Sequence, residues 1–370
     1  MRAERQALQG ARRVVLKIGS RLIREAPEER ATMLAQAAAS ARARGVEVVL
    51  VSSGAIALGI ERLGLGERPR LMPELQACAA IGQGRLMQLY DRAFAAVGLA
   101  IGQVLLTHDD LADRSRYLNA RHALTALLAL GAVPIINEND TVAIEEITFG
   151  DNDRLAGLVT SLINADVLVV LTDVDGVHDA DPAAGGQRMA LVRDVDREAV
   201  PVAGGTVVGG VGRGGMASKV LAAKVAGRFG VPTVICSGRH DRVLDRVLAG
   251  EDLGTLLLPE ADRLGARKHW IAFTLKPAGA VVIDDGARRA LVEAKRSLLP
   301  SGVREVRGAF VVGDAIAVLD GAGHELARGL AGYGADEATR IAGKKSGEIE
   351  AILGYKRTDE LVHRDDLVLV

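Results

Sequence analysis

Aromatic residues are scarce, at 3% of a 370-residue chain. So few π-faces leave little to build stacking platforms for single-stranded nucleic acid. Charge of one sign is also lacking. The formal net charge is −1, which builds in no global attraction to nucleic acid or to an anionic membrane. There are two cysteines, Cys78 and Cys236. They lie too far apart to form a metal-ligand or redox motif, and each reads as a small core hydrophobe in a protein of a reducing compartment. Long apolar runs are missing. None reaches the roughly 18 residues of a membrane span, and the basic start MRAERQALQGARRVVLKIGS lacks the longer apolar region and cleavage site of a signal peptide. A cytoplasmic protein without membrane contact is expected. The P-loop pattern G-x-x-x-x-G-K-[ST] is absent, and no cluster has zinc-ligand spacing. His363-Arg364-Asp365 spells H-R-D but lacks the downstream asparagine of protein kinases.

What is present is ordinary globular composition, 49% hydrophobic and 25% charged, enough for a sizeable core. The length suggests two domains. Strand-like runs at Val14–Ile18, Val46–Val51, Ile101–Leu106, Val133–Ile136 and Val167–Leu171 alternate with helical patterns over 28–44, 74–97 and 114–130 and with an apolar-periodic stretch that opens at Gly150-Asp151-Asn152-Asp153. This alternation predicts βαβ units and a mainly parallel sheet covered on both faces. Residues 178–210 read as glycine-rich loops with one short strand or hairpin. A helix is expected to run from Gly212–Gly215 to about Arg228, and strands follow at 232–236 and 255–258. The segment before Val14 is longer than the fold needs and is expected to be disordered. Beyond Trp270 the runs shorten. Strands are predicted at Ala280–Ile283, Val303–Val306, Ala309–Val312 and Ala315–Leu319, with a helix at 335–342, giving a small β-rich domain. The expected division is 1–259, a linker 260–270, and 271–370.

The chemistry is expected between Pro134 and Asp175. Three polar tips follow one another there: Asn137-Glu138-Asn139-Asp140, Gly150-Asp151-Asn152-Asp153 and Thr172-Asp173. Ligands of open α/β sheets bind outside the carboxyl ends of the strands. Each Asx residue also reads as a turn or cap; their concentration at successive element ends raises the functional reading. Lys17, alone, reads more simply as an edge-strand lysine that blocks aggregation; at a strand tip it is also a cation aimed at phosphate. Ser53-Gly54, between a strand and a helix, is an anion site, a plain N-cap, or both. Gly210-Val211-Gly212-Arg213-Gly214-Gly215 matches G-x-G-x-x-G weakly, because the strand before it is short and the next acid is Asp241. A glycine loop ahead of Met216-Ala217-Ser218-Lys219 is either a phosphate cradle with a lysine or a flexible loop with a surface lysine. Carboxylates, two lysines and backbone N–H groups together make a phosphoryl-transfer inventory.

In order, VVLKIGS, VSSGAIALG, RSRYLNARHAL, PIINENDTVA, FGDNDRLAG, VLTDVDG and GVGRGGMASK closely resemble the amino acid kinase family, in the branch that phosphorylates glutamate. GARRAL, SLLPSGV, GAFVVGDAI and RIAGKKSGEIEAILGY are similar to the PUA domain of its bacterial members. The resemblance covers nearly the whole chain. It implies a three-layer αβα sandwich with an open, mainly parallel sheet. It implies a phosphotransferase with a carboxyl acceptor, giving γ-glutamyl phosphate from L-glutamate and ATP in the first step of proline synthesis. Mg²⁺ comes with the nucleotide, proline is the expected feedback inhibitor, and a homo-oligomer is expected. Carried over, Lys17 and Lys219 neutralise the transferring group and Asp153 orients them. Ser53, Asp140 and Asn152 hold glutamate. Lys17, Thr172, Asp173 and the loop Arg213, Gly214, Gly215, Met216, Ala217, Ser218 and Lys219 hold ATP. No residue is expected to bind a metal directly. Arg213 stands where many members carry a smaller residue such as threonine.

Two readings compete. Another kinase of the family, acting on N-acetylglutamate or aspartate, is disfavoured by the PUA-like tail and the INEND–GDND pair. An RNA-binding regulator on a kinase scaffold is not favoured either. Residues 271–356 hold twelve Lys and Arg against eleven Asp and Glu, without the basic excess RNA binding calls for.

Overall fold

The structure is a computed structural model that describes residues 2–112, 114–143, 151–203, 215–259 and 277–369. The chain divides into two compact units, Met1–Ala261 and Asp262–Val370.

The first unit is built on an eight-stranded sheet: β1 (Arg13–Ile18), β2 (Glu47–Val51), β3 (Ile101–Leu106), β4 (Val133–Glu138), β5 (Val167–Thr172), β6 (Leu191–Val192), β7 (Thr233–Ser237) and β8 (Thr255–Leu257). Their order is β3-β4-β2-β1-β5-β7-β8-β6. All pairs are parallel except β7 with β8. β1, β4, β5 and β7 are buried almost throughout because both sheet faces are covered. One face packs on α2 (Ser20–Glu25), α3 (Pro27–Ala43), α4 (Ala55–Arg62), α5 (Met72–Ala95) and α10 (Val243–Leu248). The other packs on α6 (His108–Ala112), α7 (Arg114–Ala129), α8 (Asp151–Leu162) and α9 (Met216–Gly227). Each face has its own buried cluster, which makes three layers. Both cysteines are free and buried.

The sheet order changes direction at β1. Strands β2, β4 and β3 lie on one side of it, and β5 and β7 on the other. The carboxyl ends of β1 and β5 therefore flank a topological switch point, where a ligand crevice forms. Lys17 pairs in register with Val51 on one side and Val170 on the other. It sits on an internal strand, so the edge-strand reading of this lysine is overturned.

The segment before β1 also departs from expectation. It forms α1 (Arg2–Gln6) and a short 3-10 turn. Arg5, 2% exposed, donates to the carbonyls of Ala190, Glu251, Leu253 and Gly254 and pairs with Asp252 at 3.2 Å. A guanidinium with several donors satisfies a cluster of carbonyls that no apolar side chain would.

The second unit holds a five-stranded sheet, order β10-β9-β11-β12-β13, formed by β9 (Gly279–Ile283), β10 (Val303–Gly308), β11 (Ala315–Leu319), β12 (Glu325–Leu330) and β13 (Leu367–Leu369). Ala309–Val312 is not a strand. Gly308 (φ +79°) ends β10, and the Asp314 carboxylate accepts from Val311 N at 2.8 Å to close a turn. The fourth long strand is instead Glu325–Leu330, whose charged start masked it. Among the described residues, no helix is long and apolar enough to cross a membrane.

Candidate active site

One cleft, about 1080 Å³, opens over the switch point. Its floor is an ion-paired row. Asp153 lies in the first turn of α8 and is 1% exposed. One oxygen pairs with Lys17 Nζ, from β1; the other is 3.4 Å from Lys219 Nζ, from the first turn of α9. Lys219 Nζ also donates to the Gly215 carbonyl at 3.2 Å. A carboxylate in the first turn of a helix is favoured by the helix dipole. Burial alone would raise the Asp153 pKa, but Lys17, then Lys219, outweigh it and hold the carboxyl below its ordinary value. Burial pulls Lys17 down from the ordinary lysine value, and Asp153 only partly opposes this.

On one side of the row stand Ser53, Asn137, Asp140 and Asn152. Ser53 and Gly54 form the turn between β2 and α4, so the N-terminus of α4 faces the cleft. Gly54 has φ +108°, a conformation open to glycine and costly for other residues. The neighbouring Ser52 hydroxyl shares a 2.6 Å hydrogen bond with the buried Tyr90 hydroxyl, which pins this turn to α5. The Asn152 side-chain oxygen accepts from Glu138 N at 3.1 Å, fixing α8 to the end of β4. Asp140 lies on the turn after β4.

On the other side are Thr172, Asp173, Gly215 and Met216. The Thr172 hydroxyl donates to Asp173 Oδ1 at 3.1 Å, and Arg21 donates to Oδ2 at 2.6 Å. Burial works to raise the Asp173 pKa, but the Arg21 hydrogen bond, with smaller helpers, turns the shift downward. Met216 starts α9, whose N-terminus also faces the cleft. Two helix N-termini thus border the lysines, and first-turn N–H groups have no partner within their own helix, a setting suited to anions.

The cleft wall therefore brings together Lys17, Ser53, Asp140, Asn152, Asp153, Thr172, Asp173, Gly215, Met216 and Lys219. Ala217 and Ser218 are not on it; Ser218 is buried and turned to Asp153. Arg213 and Gly214 fall outside the described residues. Asn137 and Arg21 are among the wall residues not singled out from sequence. Asn137, 2% exposed, donates to Gln83 at 2.7 Å; its signal was its place in the first polar tip. Arg21 had none, since its pairing with Asp173 spans 152 positions.

Residues 12–237 match the model of the amino acid kinase family, and residues 279–353 match that of the PUA domain. A curated relative from Geobacter sulfurreducens, named glutamate 5-kinase, is 50% identical over 98% of this chain and 99% of its own. Glutamate 5-kinases of Myxococcus xanthus and Pseudomonas entomophila are each 51% identical over 99% of this chain, and over 98% and 100% of their own lengths.

Proposed function

The chain belongs to the amino acid kinase family, and on that premise we propose that it transfers the γ-phosphoryl group of ATP to the γ-carboxylate of L-glutamate. The observation that carries this reading is the row Lys17–Asp153–Lys219, set between an amide- and carboxylate-bearing wall and a second helix N-terminus. Glutamate takes the Ser53, Asn137, Asp140 and Asn152 side. ATP takes the Thr172, Asp173, Gly215 and Met216 side.

The nucleophile needs no general base, because a glutamate side chain with a pKa near 4.3 is ionised at neutral pH. One carboxylate oxygen bonds to the γ-phosphorus as the bond to the β–γ bridging oxygen breaks; ADP leaves with that electron pair. The obstacle is bringing two anions together. Fixed cations and N–H dipoles lower it where charge spreads over the transferring oxygens. Lys17 and Lys219 supply the cations, and Asp153 holds both in place. With both its oxygens engaged by lysines, Asp153 orients and does not take a proton.

Mg²⁺ fits this site as a companion of the triphosphate. Among the described residues no group of three or more His, Cys, Asp or Glu stands together to hold a metal, and Mg²⁺ commonly keeps phosphate and water oxygens as ligands. Bound there, it would neutralise β- and γ-phosphate charge. In this proposal the catalytic domain is 1–259, joined through 260–270 to the domain from 271. A cytoplasmic homo-oligomer inhibited by proline belongs to the same reading.

The test is ATP-dependent hydroxamate formation with hydroxylamine, comparing L-glutamate, aspartate and N-acetylglutamate. Turnover with free glutamate is expected. Turnover confined to aspartate or N-acetylglutamate would sink the assignment.

A further inference from the structure

Ser218 precedes Lys219 in the first turn of α9, yet its side chain leaves the cleft wall. Its Oγ lies 2.6 Å from Asp153 Oδ2 and 2.9 Å from the Gly215 carbonyl oxygen. A hydroxyl has one hydrogen to give. The shorter contact, to an ionised carboxylate, takes it. The Gly215 carbonyl is served by Lys219 Nζ instead, at 3.2 Å. Asp153, Ser218, Gly215 and Lys219 thus close a small ring at the start of α9.

The backbones of α8 and α9 come close enough to allow this. Gly157 lies one turn beyond Asp153. A Cβ there would stand 2.8 Å from the Ala222 carbonyl oxygen and 3.0 Å from Val225 Cβ. Without the serine, Asp153 Oδ2 would keep one distant partner, Lys219 at 3.4 Å. A carboxyl torsion is soft, so the plane would turn and both lysines would follow.

We propose that Ser218 is a positioning residue: its hydroxyl fixes the Asp153 carboxylate, and through it the spacing of Lys17 and Lys219, and it does not bind nucleotide. This rests on the phosphoryl-transfer reading above. Misplacing a charged group by about 1 Å costs on the order of a hundredfold in rate.

Ser218→Ala and Ser218→Thr in the full chain test it. The alanine variant is expected to lose roughly ten- to a hundredfold in kcat, the range for one hydrogen bond to a charged group. Its KM for glutamate and for ATP and its ADP affinity by calorimetry should stay near wild type. Threonine, which keeps the hydroxyl, should restore kcat. Weakened ADP binding with kcat kept would make Ser218 a nucleotide ligand and overturn the proposal. So would a lower Tm with unchanged kcat per folded molecule. A second readout does not depend on glutamate turnover. The ¹³C signal of the Asp153 carboxyl should titrate at higher pH in Ser218→Ala and return in Ser218→Thr; an unmoved midpoint overturns the proposal. A wild type that fails to phosphorylate glutamate sinks the function alone, and this titration still decides on Ser218.

Discussion

Lys17 carries a charge among the apolar residues of β1, at 4% exposure on an internal strand. Burial lowers its pKa from the ordinary 10.5, with Asp153 opposing. Because the cation is the working form, kcat/KM for ATP should show an alkaline limb below about 10.4, the free-lysine value. A limb at or above that value would mean Lys17 is not the titrating group. No limb from a general base is expected between about pH 6 and 8, as the substrate carboxylate is already ionised. Stability has its own sign. Asp153, with its folded pKa depressed, contributes stability that is complete above the unfolded value near 3.9 and lost as pH falls through the folded value. Lys17, also depressed, costs stability below its folded pKa, a cost relieved as pH rises towards 10.4. Both make the folded chain gain stability with rising pH in their windows. From sequence, the residue types and their clustering at element ends were legible. The link between Lys17 and Asp153 came through the family resemblance and not from the residues alone, because an edge strand and an internal strand look alike in one dimension.

At the scale of elements, α4 and α5 meet through glycines. A Cβ on Gly82 would stand 1.7 Å from the carbonyl oxygen of Ala55, and one on Gly59 would stand 1.9 Å from that of Cys78. Ala55 opens α4 directly after Ser53-Gly54. Gly82→Ala must therefore push the start of α4 away. Helix propensity would gain about 1 kcal/mol, but overpacking against backbone costs about 1–3 kcal/mol, and backbone cannot yield as a side chain does. A net loss of stability by thermal melting is expected, with a raised KM for glutamate and little change in KM for ATP. An unchanged glutamate KM would separate α4 from the substrate. The βαβ alternation made most of the first unit readable. It failed where local pattern was overruled: Gly308 and the Asp314 turn ended a strand that hydrophobicity alone continued. The first helix was missed because Arg5, a charged residue, is the buried anchor.

For the whole molecule, every described residue on the cleft wall belongs to the first unit, and neither unit borrows its buried clusters from the other. A chain ending at Ala261 should therefore fold and keep the kcat of the full chain; a folded but inactive product would assign the PUA domain a part in catalysis. The central claim is that a glutamate carboxylate oxygen becomes bonded to the transferred phosphorus in this cleft. L-glutamate labelled with ¹⁸O in its γ-carboxylate tests it. The acyl phosphate formed cyclises as its own amine attacks the acyl carbon, releasing phosphate that retains the carboxylate oxygen. ³¹P NMR should show that phosphate carrying one ¹⁸O; phosphate wholly free of label would mean transfer to water, and would contradict the account.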